Sequence, residues 1–63
     1  MNRTELFQLV TVSMFHNLPI ELVGHDNRVS TGVVRSITRE DGGGYRFIIK
    51  FSNGLQTYMK CKS

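Results

Sequence analysis

Residues 45–60 read YRFIIKFSNGLQTYMK, and this stretch decides the fold because only one pairing of it separates core from solvent. If Ser52, Asn53 and Gly54 form a three-residue loop with Gly54 left-handed, Phe51 faces Leu55, Ile49 faces Thr57, Phe47 faces Met59 and Tyr45 faces Cys61. One face is then almost wholly apolar. The other face pairs Lys50 with Gln56, Ile48 with Tyr58 and Arg46 with Lys60. A two-residue loop would set Phe47 against Lys60 and Phe51 against Gln56, mixing core with solvent, so the three-residue loop is predicted. Ile48 and Tyr58 are left on an otherwise basic face, where a lone chain leaves them wet. They are the candidate oligomer interface.

Upstream of the hairpin, Arg39-Glu40-Asp41-Gly42-Gly43-Gly44 reads as a flexible hairpin tip. No Gly-Lys-Ser/Thr follows it, so it is not a phosphate-cradling loop. Residues 28–38 are rich in Val, Thr and Ile, with Gly32 near the middle marking a bulge or sharp bend of the kind a small barrel needs to close. His25-Asp26-Asn27 is turn chemistry, and Ile20 and Leu22 alternate with Glu21 in a short strand that ends at Gly24. The N-terminal residues 2–16 read as a helix. Asn2 and Glu5 have capping-box spacing, Leu6, Leu9, Val10, Ser13 and Met14 recur at steps of three and four, and Asn17 before Pro19 suits a left-handed cap. Val10, Val12 and Met14 also alternate as a strand would, which leaves an all-strand reading as the alternative. The expected architecture is one domain over residues 1–63: mostly β with an N-terminal α-helix on a small, strongly bent SH3-like β-barrel of four to five strands.

Size bears on association. For 63 residues and 7.2 kDa, burying about 6,300 Å² contributes on the order of 95 kcal/mol, and ordering the chain at ~1.5 kcal/mol per residue offsets nearly all of it. The chain has a single cysteine and so forms no internal disulfide, which makes self-association the first hypothesis. Cys61 reads as a buried small hydrophobe in a reducing, cytoplasmic setting. No stretch reaches the ~20 apolar residues of a membrane span, and no export signal is evident.

Charge is asymmetric. Residues 1–41 hold four arginines against five acids, whereas residues 42–63 hold Arg46, Lys50, Lys60 and Lys62 with no acid. The basic character belongs to the hairpin, where it attracts an anionic partner such as nucleic acid. Cations interleaved with aromatic rings suit single-stranded nucleic acid, because bases stack on rings while cations hold phosphates. Catalysis finds little support: no nucleophile, base and orienting group are spelled out together locally, and a small binding module is expected instead. His16, His25 and Cys61 match no zinc spacing, so neither metal nor cofactor is expected.

The order of helix, Leu18-Pro19-Ile20, bent glycine strand and basic aromatic hairpin resembles the Sm-like family, especially its bacterial Hfq branch. LPIELVGHDNRVSTGVVRSI, residues 18–37, looks like the Sm1 segment: Pro19 leads the first strand, Asp26-Asn27 takes the place of the family's Asn/Asp-Gly turn, and Gly32 follows five residues after Asn27. In the hairpin, Gln56 and Lys60 fall where Hfq-type proteins carry a Gln and the Lys of a Tyr-Lys-His motif. The resemblance implies a bent barrel assembled edge to edge into a homo-oligomeric ring that binds U-rich or A-rich single-stranded RNA. Tyr45 takes the position of the base-stacking aromatic and Lys60 that of the pore-side lysine. The neighbouring cations Arg39 and Arg46, which the resemblance does not itself assign, are expected to add phosphate contacts. The departures are specific. Cys61 stands where Hfq has a histidine, and Met14 and Phe15 replace the rim arginines. The glycine loop is longer, and little sequence follows Lys60 for the fifth strand that pairs with the next subunit. A trimmed phage or bacterial version of the family is the expectation. The alternative is an SH3-like or Tudor-like protein-interaction module, such as a phage modulator of host machinery, with Ile48 and Tyr58 as contact patch.

Overall fold

The computed structural model describes residues 1–40 and 44–61. Its elements run α1 (Arg3–His16), β1 (Ile20–Val23), β2 (Val29–Gly32), β3 (Val34–Arg39), β4 (Arg46–Phe51) and β5 (Gln56–Lys60). They form a two-stranded sheet, β1-β2, and a three-stranded sheet, β3-β4-β5, antiparallel throughout. Asp41, Gly42 and Gly43 of the expected glycine loop, and Lys62 of the basic hairpin, lie outside the described residues.

The hairpin has the register that the three-residue loop demands. Lys50 pairs with Gln56, Ile48 with Tyr58 and Arg46 with Lys60. Phe51 N–H donates to the Leu55 carbonyl (2.9 Å), Cys61 N–H donates to that of Tyr45 (2.7 Å), and Gly54 is left-handed at φ 89°. Phe47, Ile49, Phe51, Thr57, Met59 and Cys61 are buried, while Leu55, in the turn, is exposed. At the other end of the chain, Asn2 caps α1 by accepting from Glu5 N–H (2.8 Å), and Asn17 closes it in the left-handed region at φ 52°. The all-strand alternative for this segment is thereby excluded.

The helix buries Leu6, Val10 and Ser13. Leu9 and Met14, expected on the same stripe, are instead exposed. A helix with apolar residues on every side has no unique inward face by periodicity, and a specific polar contact sets its rotation here. The Ser13 hydroxyl, itself fully buried, donates to the Leu18 carbonyl (2.7 Å) and accepts from Val34 N–H (2.9 Å). One oxygen thus joins the end of α1, the entry to β1 and the start of β3.

The run over residues 28–38 is two strands in different sheets. Gly32 marks the break: its φ is 154°, and a β-carbon there would lie 2.8 Å from Asn53 Nδ2, which donates to the Thr31 carbonyl. The pairing of β3 with β4 shifts register between Val34 and Ser36, a second irregularity that bends the strand. Two hydrogen bonds then tie one sheet to the other. Asn53 Nδ2, in the β4-β5 turn, donates to the Thr31 carbonyl on β2 (2.9 Å), and His25 N–H, from the β1-β2 turn, donates to that of Tyr58 on β5 (2.8 Å). Gly24 permits the latter contact, since a β-carbon there would collide with Thr57 Oγ1 and crowd the Tyr58 carbonyl at 3.4 Å. Leu6, Val10, Leu22, Val34 and the buried face of the hairpin meet in one core between the sheets and the helix.

Two expectations follow for stability. Ser13→Ala leaves the buried Val34 N–H without its acceptor and is expected to cost about 1–3 kcal/mol, read as a lower urea midpoint at unchanged slope. Gly24→Ala is expected to cost about 1–3 kcal/mol through overpacking and to speed exchange of the His25 amide, because the turn must lift off β5.

Candidate nucleic-acid interface

Strand alternation places the basic residues of the hairpin on the face turned away from the core. Arg46, Lys50 and Lys60 are exposed there, and Arg46 and Lys60 are direct cross-strand partners. Like charges opposite one another on a sheet repel, so this pair is locally unfavourable and an anion laid across it removes the penalty. Ile48 and Tyr58 occupy the next pair along and are half-buried. The reason lies in their neighbours: Ile48 is flanked by Thr38 on β3, and the His25 ring stands edge-on to Tyr58 with centroids 5.8 Å apart.

Tyr58 is held protonated by its surroundings. Burial lifts its phenol above the ordinary tyrosine value; the Arg46 guanidinium opposes this, and the Glu40 carboxylate adds to it. Glu40 Oε2 is enclosed with no hydrogen-bond partner among the described residues, and such an oxygen beside a phenol favours the phenol's neutral form. The basic face therefore includes one carboxylate, Glu40, that belongs in sequence to the loop.

Tyr45 and Arg39 form a second group. Tyr45 is half-buried and packs against the core, with the Arg3 guanidinium 4.7 Å above its ring. Arg39 donates from Nε (3.2 Å) and Nη2 (2.9 Å) to the Gly44 carbonyl, fixing the chain just before Tyr45. Arg3 and Arg39 both line a shallow hollow floored by Phe7, Ile37 and Phe47. Of the expected RNA contacts, Arg46 and Lys60 stand together, while Tyr45 and Arg39 stand together elsewhere. Strand alternation puts Tyr45 and Lys60 on opposite faces of the hairpin. Arg3 was not anticipated as part of a site. Nothing in its local sequence signals the contact, which exists only because α1 docks over the start of β4.

Burial also raises the Cys61 thiol, with the N-terminal amine opposing, and the side chain is 9% exposed. Such a thiol is poorly ionised and inert. Among the described residues, no three His, Cys, Asp or Glu side chains cluster to hold a metal ion, and no helix is long and apolar enough to cross a membrane. No protein-family model, curated protein or solved structure matches this chain. The described residues define a small α+β domain with a cationic hairpin face.

The Tyr58 shift carries a pH dependence. A phenol whose folded value is raised favours the folded state below the unfolded value of about 10, and that contribution is lost as pH rises through the folded value. Stability is expected to fall above pH ~10, and Tyr58→Phe to remove part of that fall, as followed by denaturant midpoints across the alkaline range.

Proposed function

We propose that this chain is a non-enzymatic, Sm-like protein that binds single-stranded RNA and assembles as a homo-oligomeric ring. The observation that carries the reading is the Arg46–Lys60 cross-strand pair, two exposed like charges that an RNA phosphate relieves. The cation over the Tyr45 ring supports it further, since guanidinium and aromatic planes are the surfaces on which unstacked bases settle. Exchanging Arg3 for a base on that ring is a modest rearrangement of an exposed side chain. Support for a bent barrel comes from the His25–Tyr58 and Asn53–Thr31 hydrogen bonds between the sheets and from the break at Gly32, which lets one run of sequence serve both sheets. In this reading Lys60 and Arg46 hold phosphate, Arg39 positions the backbone before Tyr45, and Tyr45 stacks a base.

Fluorescence titration of labelled U-rich and A-rich oligoribonucleotides at two salt concentrations tests this. Binding is expected to weaken steeply with salt. Lys60→Ala is expected to reduce the salt slope by about one ion, and Tyr45→Ala to cost about 1–3 kcal/mol of affinity. Absence of binding at low salt, or affinity indifferent to both substitutions, rejects the reading and leaves the protein-interaction alternative, which a nuclease-resistant partner in a pull-down would support.

A further inference from the structure

The hollow between the first two turns of α1 and the three-stranded sheet is lined by Arg3, Phe7, Ile37, Arg39 and Phe47, with no acidic side chain among them. Each arginine is held by a local contact. Arg3 keeps its guanidinium over the Tyr45 ring, and Arg39 donates from Nε and Nη2 to the Gly44 carbonyl, which leaves its Nη1 group without a partner among the described residues. The one ion pair among those residues joins Arg28 to Asp26, so both guanidiniums bring uncompensated charge to the hollow. The floor is apolar and aromatic. The Phe7 ring, partly exposed, meets that of Phe47 edge-on with centroids 5.1 Å apart.

The β3 side of the hollow adds polar groups of a third kind, because β3 is an edge strand. The Glu40 N–H donates across to the Arg46 carbonyl, so antiparallel alternation has Thr38 and Ser36 exchange their main-chain bonds with β4 and turns the N–H and C=O of Ile37 and Arg39 toward the open edge. Those groups have no main-chain partner among the described residues.

These features together select a ligand. A carboxylate is satisfied by one guanidinium fork, whereas a phosphate monoester brings three oxygens and close to two negative charges and so engages two. Guanidinium planes and phenyl rings favour a flat π-system. A ring with donors and acceptors along its edge also suits the open main chain of Ile37 and Arg39. The hollow encloses about 290 Å³, close to the lower limit of about 300 Å³ for small-ligand sites, which is room for one ring and its head group.

We propose that this hollow binds a single nucleotide, its phosphate between Arg3 and Arg39, its base against Phe7 and Phe47 and the polar edge of the base on the main chain of β3. The site is separate from the Arg46–Lys60 pair on the opposite face of the sheet. It rests on the RNA-binding reading only for the source of the ligand, since a free nucleoside monophosphate and the 5′-phosphorylated end of an RNA strand bring the same chemistry.

Amide and aromatic NMR spectra of the labelled full chain, titrated with adenosine and uridine 5′-monophosphates, the two nucleosides and inorganic phosphate, test it. The monophosphates are expected to give saturable shifts at the Ile37 and Arg39 amides and the Phe7 and Phe47 rings. Nucleosides and inorganic phosphate are each expected to bind at least tenfold more weakly. Arg3 is exposed, so Arg3→Met keeps the core, and it is expected to weaken the monophosphates about tenfold. Arg28→Met, the same loss of charge on the β1-β2 turn, is expected to leave them unchanged. An oligoribonucleotide that displaces the monophosphate better when 5′-phosphorylated assigns the site to an RNA end; equal or absent displacement assigns it to the free nucleotide. Unmoved signals at these four residues, inorganic phosphate binding as tightly as the monophosphates, or unchanged affinity in Arg3→Met overturns the proposal. Oligonucleotide binding that persists through Lys60 in that event leaves the RNA-binding reading intact, whereas monophosphate binding without oligonucleotide binding at low salt rejects that reading and keeps the hollow.

Discussion

The Ser13 hydroxyl is the contact on which the arrangement of the other elements depends. It sits fully buried on the inward side of the helix and is satisfied in both senses, as donor to Leu18 and acceptor from Val34. A buried hydroxyl without partners costs more than a methyl in its place, so the site admits serine only in the rotation that makes both bonds. That rotation sends Leu6 and Val10 into the core and holds the first residue of β3 against the end of α1. Because β3 then pairs with β4 and β4 with β5, the position of the whole three-stranded sheet relative to the helix follows from one oxygen.

The closure of the two sheets rests on steric allowance rather than on strong attraction. At one end the chain turns from β2 into β3 at Gly32, where Asn53 approaches so closely that a side chain would displace it. At the other, the β1-β2 turn reaches β5 across Gly24, and the His25 ring comes to rest beside Tyr58. The turn itself is held by local bonds: Asn27 N–H to the Gly24 carbonyl, Gly24 N–H to that of Arg28, and Arg28 N–H to the Asp26 carboxylate. The Asp26–Arg28 ion pair, 3.7 Å apart and exposed on both sides, adds little. Hence the half-burial of Tyr58 is a consequence of where Gly24 lets the backbone pass.

What the sequence made legible divides along the same line. Hairpin register was readable because strand alternation has period two, and a slip of one residue would have sent Phe47 and Phe51 into water. Helix limits were readable because Asn2 and Asn17 are capping residues whose chemistry is local. The helix rotation was not, since apolar residues surround it and Ser13 looks like any other interruption until Val34 arrives 21 positions later. For the candidate site, the Arg46–Lys60 pairing followed from register alone. The cover on Tyr45 did not, because Arg3 and Tyr45 meet only after the helix has docked. Likewise the half-buried state of Tyr58 depends on a turn whose sequence says it bends but not what it bends onto.

These constraints leave two surfaces of opposite chemistry with the core between them. The hairpin's outer face carries every described cation of β4 and β5, and the helix's outer face carries no charge from residue 6 to residue 15. Met14 and Phe15, on the last turn of the helix, offer a surface for hydrophobic contact and none for phosphate. The two surfaces are thus separate: an anion drawn to the hairpin's cations would leave the apolar helix face uncovered, and a contact on the helix face would leave those cations free. Apolar contact on the helix would supply stability that a chain this small, with nearly balanced folding energetics, has little of by itself, and it would do so without covering the charged face.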